Sequence, residues 1–319
     1  MSVTEILQVQ ICVSASHQLG INHGNASERK PFVHGNPTNH NIAGIQTRSE
    51  QRNHEINLGN LDTIGTQQQS TRRLSNFTGL LVSARSVDEA RMVMKQENVW
   101  LDLKEPSSGS LGRPADEIIR DFLSLTHFNP TRISIAGGEL VEWTDDLSAS
   151  MASILPAHCC LKFGLSHCSG DWIKRLAGIR SNLVRREQLI LVHYADSATA
   201  KCPDWTQLVH AAERLDGRYV LVDTFDKTCG GLLDHYTHEQ LVGMIQFANS
   251  KNLEVALAGS LQVEQLRSLM QVGASWLGFR GAVCETEQRT SRLCNSKLQA
   301  LQREFANCIV KDHLSRNES

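Results

Sequence analysis

From Phe77 onward the chain repeats one unit eight times: a short apolar, β-branched run, then a longer amphipathic one. No other feature of the sequence restricts the fold so tightly. The strand runs are "TGLLVSA", "VWLDLK", "RISIAG", "CCLKFG", "LILVHYA", "YVLVDT", "EVALAG" and "SWLGFRG". Between them lie helical runs such as "SVDEARMVMKQ", "ADEIIRDFLSL", "DWIKRLAGIRSNLVRRE", "DWTQLVHAAERL", "HEQLVGMIQFANSK" and "QVEQLRSLMQVG". Several open on Ser, Asp or Thr with acids in the first turn, as capped helices do. Strand then helix, eight times over roughly 230 residues, predicts an α/β fold of the (β/α)8 TIM-barrel type, whose usual size is about 250. The third unit, "GGELVEWTDDLSASMASIL", has the weakest pattern and predicts a long loop and a short helix. A doubly wound open sheet is the alternative. No G-x-G-x-x-G follows the first strand, which counts against a dinucleotide-binding sheet.

The composition divides the chain. Residues 1–76 are expected to be a disordered extension upstream of the domain, because 17–76 is rich in Asn, Gln, Ser, His, Gly and Arg with sparse, aperiodic apolar residues. Such a segment buries too little surface to offset its ordering entropy. The barrel is expected over 77–309, with a tail over 310–319. The 32 Lys+Arg against 34 Asp+Glu give a net charge of −2. That balance argues for neither a nucleic-acid nor a membrane-surface partner. No apolar run is long enough to span a bilayer. The first twenty residues lack the basic and apolar regions of a secretory signal. Nine irregularly spaced cysteines, several inside apolar runs, suit reduced thiols in a cytoplasm. A cytoplasmic homo-oligomer is the expected form.

In such a barrel chemistry sits at the C-terminal ends of the strands. The charged residues fall there. Asp102 and Lys104 end the second strand and, two apart, share a face. Lys162 lies inside the fourth, His193 and Asp196 end the fifth, and Asp223 ends the sixth with Lys227 four residues on. Lysine in a strand core is rare, because an unpaired buried ammonium is costly. Each lysine could pair with a carboxylate or snorkel to the rim. Several lysines and aspartates at one end of one barrel point instead to catalysis. Clustered, buried cations lower each other's pKa, and a lysine so treated can attack a carbonyl to form a Schiff base. Aspartates beside it can move protons. His193 is a candidate proton shuttle or a hydrogen-bonded structural group.

The last two units carry glycines before a helix: Gly259 and Ser260, then Gly278, Arg280 and Gly281. Loops after strands seven and eight form the usual phosphate site of these barrels, so these five residues are the expected phosphate-binding set. In "HCCLKFGLSHC" the residues His158, Cys159, Cys160, His167 and Cys168 have no standard metal spacing, and Cys159 and Cys160 point to opposite strand faces; no metal is expected.

The blocks "LDLKEPSSGSLG", "LKFGL", "YAD", "LVDTFDKTCGGLLDH", "VALAGS" and "GFRGAVCE" together resemble the (5-formylfuran-3-yl)methyl phosphate synthases of methanofuran biosynthesis, in collinear order from Phe77 to the last helix. The resemblance implies a (β/α)8 barrel without metal or organic cofactor that joins two glyceraldehyde 3-phosphate molecules into a furan aldehyde phosphate. It implies that Lys104 is the Schiff-base residue, and that Asp102, Lys162, Asp223 and Lys227 share the proton transfers. Two departures are expected to touch the pocket. Glu139 in "ISIAGGELVEW" stands where the family has a Gly-Asp loop, and His193 stands where a smaller residue is expected. A Schiff-base aldolase for another phosphorylated sugar and a non-catalytic metabolite-binding barrel remain the alternatives.

Overall fold

The structure is a computed structural model that describes residues 79–126, 132–185 and 188–317. The polar segment 1–76 lies outside the described residues. Eight parallel strands close on themselves in sequence order, β1 against β8. They are β1 (Gly79–Ala84), β2 (Val99–Leu103), β3 (Ile133–Glu139), β4 (Cys159–Gly164), β5 (Leu189–Tyr194), β6 (Tyr219–Asp223), β7 (Glu254–Leu257) and β8 (Trp276–Phe279). The helices are α1 (Val87–Val93), α2 (Asp116–Thr126), α3 (Asp145–Ile154), α4 (Trp172–Ser181), α5 (Ser197–Ala200), α6 (Trp205–Arg214), α7 (Leu232–His235), α8 (His238–Ser250), α9 (Leu266–Gln271) and α10 (Asn295–Asn317). This is the closed (β/α)8 barrel that the sequence pattern predicts.

Alternation along each strand sorts side chains into two cores. Residues such as Leu80, Leu101, Leu161, Leu191 and Val220 face the helix layer. Leu81, Trp100, Val192, Leu221 and Trp276 face the barrel interior. At the N-terminal end of the strands Trp100 meets Tyr219 and Trp276 edge to face, with centroids 4.8 and 5.1 Å apart. The Arg132 guanidinium lies 5.2–5.9 Å from all three rings. That end is plugged, so a cavity can open only at the other.

The helices begin where their capping residues stand. Ser86 accepts from Glu89 N, while Asp204 with Gln207 and Thr237 with Gln240 form capping boxes. Each such cap is worth about 1 kcal/mol. Three sequence-based boundaries shift. The third unit is regular, because Thr144 caps a ten-residue α3. Helix α4 stops at Ser181 instead of running to Glu187, and Arg180 ties its end to Leu215 O (2.8 Å) and Asp216 (2.5 Å). Helix α10 continues through 310–317, so a separate tail does not start at 310. Among the described residues no helix is long and apolar enough to cross a membrane.

Candidate active site

Strand parity places the first functional group. Trp100 faces the interior, so Asp102 faces it too, and Lys104 follows on the same side at the strand's end. Asp102 is fully buried. Its Oδ1 accepts from Lys162 Nζ (2.6 Å) and Ser134 Oγ (2.7 Å), and its Oδ2 from Ser83 Oγ (2.9 Å). These partners come from β1, β3 and β4, and the register that sets Ser83 and Ser134 beside Asp102 brings them together. A buried carboxylate with these partners is satisfied, and the ammonium it holds has its counter-charge.

The second pair stands across the barrel. Asp223 at the end of β6 accepts from Lys227 Nζ and from Thr224 N (2.8 Å), and Lys227 also donates to Thr224 Oγ1 (2.8 Å). Burial raises the Asp223 pKa, but Lys227 and Lys104 beside it, with the hydrogen bonds, outweigh that and hold it down to about 2. The loop after β2 reaches over to this pair, with Ser110 Oγ 2.7 Å from Thr224 O and 3.3 Å from Asp223 Oδ2.

Lys104 stands between the two pairs. Among the described residues its ammonium has no hydrogen-bond or ion-pair partner, whereas Lys162 and Lys227 each hold a carboxylate. Burial pushes its pKa down to about 8, opposed by Asp223 and reinforced by Lys162 and Lys227. Lys104, Lys162, Asp223 and Lys227 line a cavity of about 440 Å³ at the C-terminal mouth of the strands, together with Ser83, Gly259, Ser260, Gly278, Gly281 and Arg289. Gly259 (φ 108°) must be glycine, since a Cβ there would also press on Thr224 at 3.2 Å.

Four expected residues do other work. Arg280 follows β8 as predicted, but its five N–H groups are all spent on protein acceptors. They reach Arg289 O and Ser291 O (2.9 Å each), Ser83 O (2.9 Å) and both oxygens of buried Glu89 (2.5 and 3.3 Å). It is a strut of the mouth with nothing left for a phosphate. His193 faces outward, because Val192 and Tyr194 on either side face the interior. Its Nε2 lies 3.0 Å from Tyr236 Oη and its ring packs on Trp205. Burial lowers its pKa to about 4, so it is neutral at ordinary pH and lies away from the cavity. Asp196 accepts from Phe225 N (2.7 Å) and Asp226 N (2.8 Å), fixing the loop that carries Lys227. Glu139, displaced by an irregularity in β3, accepts from Tyr194 Oη and from Ser166 N (2.9 Å). It joins three strand ends outside the set lining the cavity. After β8 comes a 3-10 turn (Gly281–Val283) and a loop, not the expected helix N-terminus; α10 begins only at Asn295.

Ser83, Ser134, Ser110 and Arg289 escaped the sequence reading. Ser110 lies in the quoted loop but carries no distinguishing pattern. Arg289 lies in an irregular stretch where no periodicity applies.

Residues 80–302 match the family described as 4-HFC-P synthase. The (5-formylfuran-3-yl)methyl phosphate synthase of Methanobrevibacter smithii is 27% identical over 212 residues, 64% of this chain and 89% of that one. The synthase of the same name from Methanopyrus kandleri is 26% identical over 226 residues, 69% of this chain and 94% of that one. Among solved structures, phosphoribosyl anthranilate isomerase from Thermotoga maritima superposes with a TM-score of 0.52 at 11% identity, covering 72% of this chain and 99% of that one; it shares the fold. With the family match spanning every strand of the barrel, the chain belongs to the 4-HFC-P synthase family.

Proposed function

We propose that the protein is a (5-formylfuran-3-yl)methyl phosphate synthase that condenses two molecules of glyceraldehyde 3-phosphate through a Schiff base on Lys104. The observation that carries this reading is the contrast among the three lysines. Lys162 and Lys227 are each paired with a carboxylate, while Lys104 has no partner among the described residues, lines the cavity and has its pKa pushed down to about 8. Near neutral pH a useful fraction of its amine is free to attack an aldehyde.

The overall change needs no oxidant: two triose phosphates give one furan aldehyde phosphate, one inorganic phosphate and two waters. Lys104 Nζ adds to the aldehyde carbon, and loss of water leaves an imine. The imine acidifies the neighbouring carbon, and removal of that proton gives an enamine. The enamine expels phosphate from the next carbon, and the terminal carbon so freed bonds to the central carbonyl carbon of the second triose phosphate after aldose–ketose isomerisation of that molecule. The terminal hydroxyl of the second molecule closes the ring on the central carbonyl of the first, two waters leave as the furan forms, and hydrolysis of the imine frees Lys104 and the aldehyde. Asp223 and Lys227, both on the cavity wall, and Lys162 beneath are the groups within reach for the proton transfers. Asp102 anchors Lys162. A cytoplasmic homo-oligomer without nucleic-acid or membrane partners, making a precursor of a methanofuran-type one-carbon carrier, completes the reading.

Borohydride added with glyceraldehyde 3-phosphate should trap an adduct on Lys104 by peptide mapping, and Lys104→Met should abolish both adduct and product. The product should absorb in the near ultraviolet as a conjugated furan aldehyde. An adduct on Lys162, or none on any lysine, would sink the mechanism. An adduct with a non-absorbing product would mean an aldolase for another phosphorylated sugar.

A further inference from the structure

With Arg280 committed to the protein, the cation left in the outer wall of the cavity is Arg289. Its guanidinium is half-buried and donates once, from Nη1 to Gly109 O (2.9 Å). Four N–H donors remain, and among the described residues Arg289 has no ion-pair partner. Asp223 is the acid that it senses, and Lys227 already neutralises that. Glu287 in the same wall is paired with Lys297 (3.0 Å).

The backbone around Arg289 is held with unusual completeness. Arg289 O accepts from Arg280 Nε (2.9 Å), Thr290 O from Arg85 Nη1 (2.5 Å), and Ser291 O from Arg280 Nη2 (2.9 Å). Arg280 is in turn fixed by buried Glu89. Three consecutive carbonyls gripped by two arginines fix the direction in which the Arg289 side chain leaves the chain. A planar guanidinium on such a support, facing a cavity with Ser260, Gln262 and Gln288, is suited to bind a phosphoryl group through paired hydrogen bonds.

We propose that Arg289 is the phosphate-recognising residue of this cavity and that Arg280 is its positioning residue, acting through the carbonyls it holds. The ligand class is the phosphate monoester of a small carbonyl compound. The identity of that ester rests on the function proposed above, but the anion contact itself does not.

Calorimetric titration of the full chain with inorganic phosphate tests it. Arg289→Gln should weaken phosphate binding roughly ten- to hundredfold, the loss expected for charge-assisted hydrogen bonds. Arg120→Gln, the same charge change on an exposed helix, should bind as the wild type does. Arg280→Lys should weaken binding in the wild-type background and add nothing in Arg289→Gln, a non-additivity that general loosening of the fold would not give. Phosphate binding by Arg289→Gln as tight as wild type, or none by the wild type, would overturn the proposal. Intact phosphate binding without furan product would overturn the proposed reaction and leave Arg289 in place.

Discussion

Lys104 is an amine whose charge is set by its neighbours, and that makes its reactivity measurable as a pH profile. Its pKa of about 8 means that the free-amine fraction rises tenfold per pH unit below that point and levels off above it. The rate of imine formation, followed by rapid quench with borohydride, should climb through about pH 8 and flatten. Asp223 is the strongest charge holding that pKa up. Asp223→Asn removes it while leaving the cations of Lys227 and Lys162 nearby, so the inflection should move to lower pH. A wild-type inflection near 10.5 would show that Lys104 is an ordinary solvated lysine. The sequence marked both Lys104 and Lys162, since each is a lysine in an apolar strand, but could not rank them. What separates them is a partner: Ser83, Ser134 and Lys162 converge on Asp102 through the register of four strands, which no single strand records.

At the scale of elements, the eight strands were legible because each is a short run buried on both sides, bounded by capping residues and loops. That same double burial hid which face was inward. In "LILVHY" the alternation separates Leu189, Leu191 and His193 from Ile190, Val192 and Tyr194, yet both sets are apolar enough to be interior. The structure places His193 in the helix layer. A neutral buried histidine has a definite cost in acid. Its folded pKa of about 4 lies below the ordinary 6.5, so as pH falls through that window the unfolded chain binds the proton first and stability is lost. His193→Gln should therefore flatten the decline in stability between pH 6.5 and 4 by on the order of 3 kcal/mol, read from urea denaturation. Turnover should stay within about twofold. A large loss of turnover with unchanged stability would return His193 to the reaction. Arg280 shows the same limit in a loop: its position after β8 was predictable, but its five hydrogen bonds depend on β1, α1 and the irregular loop that follows β8.

Across the whole molecule the barrel's two ends do opposite things. The N-terminal end is filled by Trp100, Tyr219 and Trp276 under Arg132, while the C-terminal end buries Lys104, Lys162, Asp102 and Asp223. The first stabilises the fold, and the second includes an ammonium that destabilises it. The balance has a sign that pH exposes. Below about pH 8 Lys104 is charged both folded and unfolded, and the folded state carries the desolvation cost. Between about 8 and 10.5 only the unfolded chain binds the proton, so stability rises with pH; above 10.5 the cost is gone. Lys104→Met keeps the chain length and removes the charge. It should stabilise the protein by on the order of 2–3 kcal/mol at pH 7, with the gain shrinking towards zero by pH 10.5. Trp100→Ala at the plugged end should instead cost about 3–5 kcal/mol at either pH, because it removes packing and no charge. Urea midpoints for the two variants at pH 7 and pH 10 separate these effects. A Lys104→Met protein less stable than wild type at pH 7 would mean that the amine is held by a favourable contact, and an amine so held would not be free to attack an aldehyde.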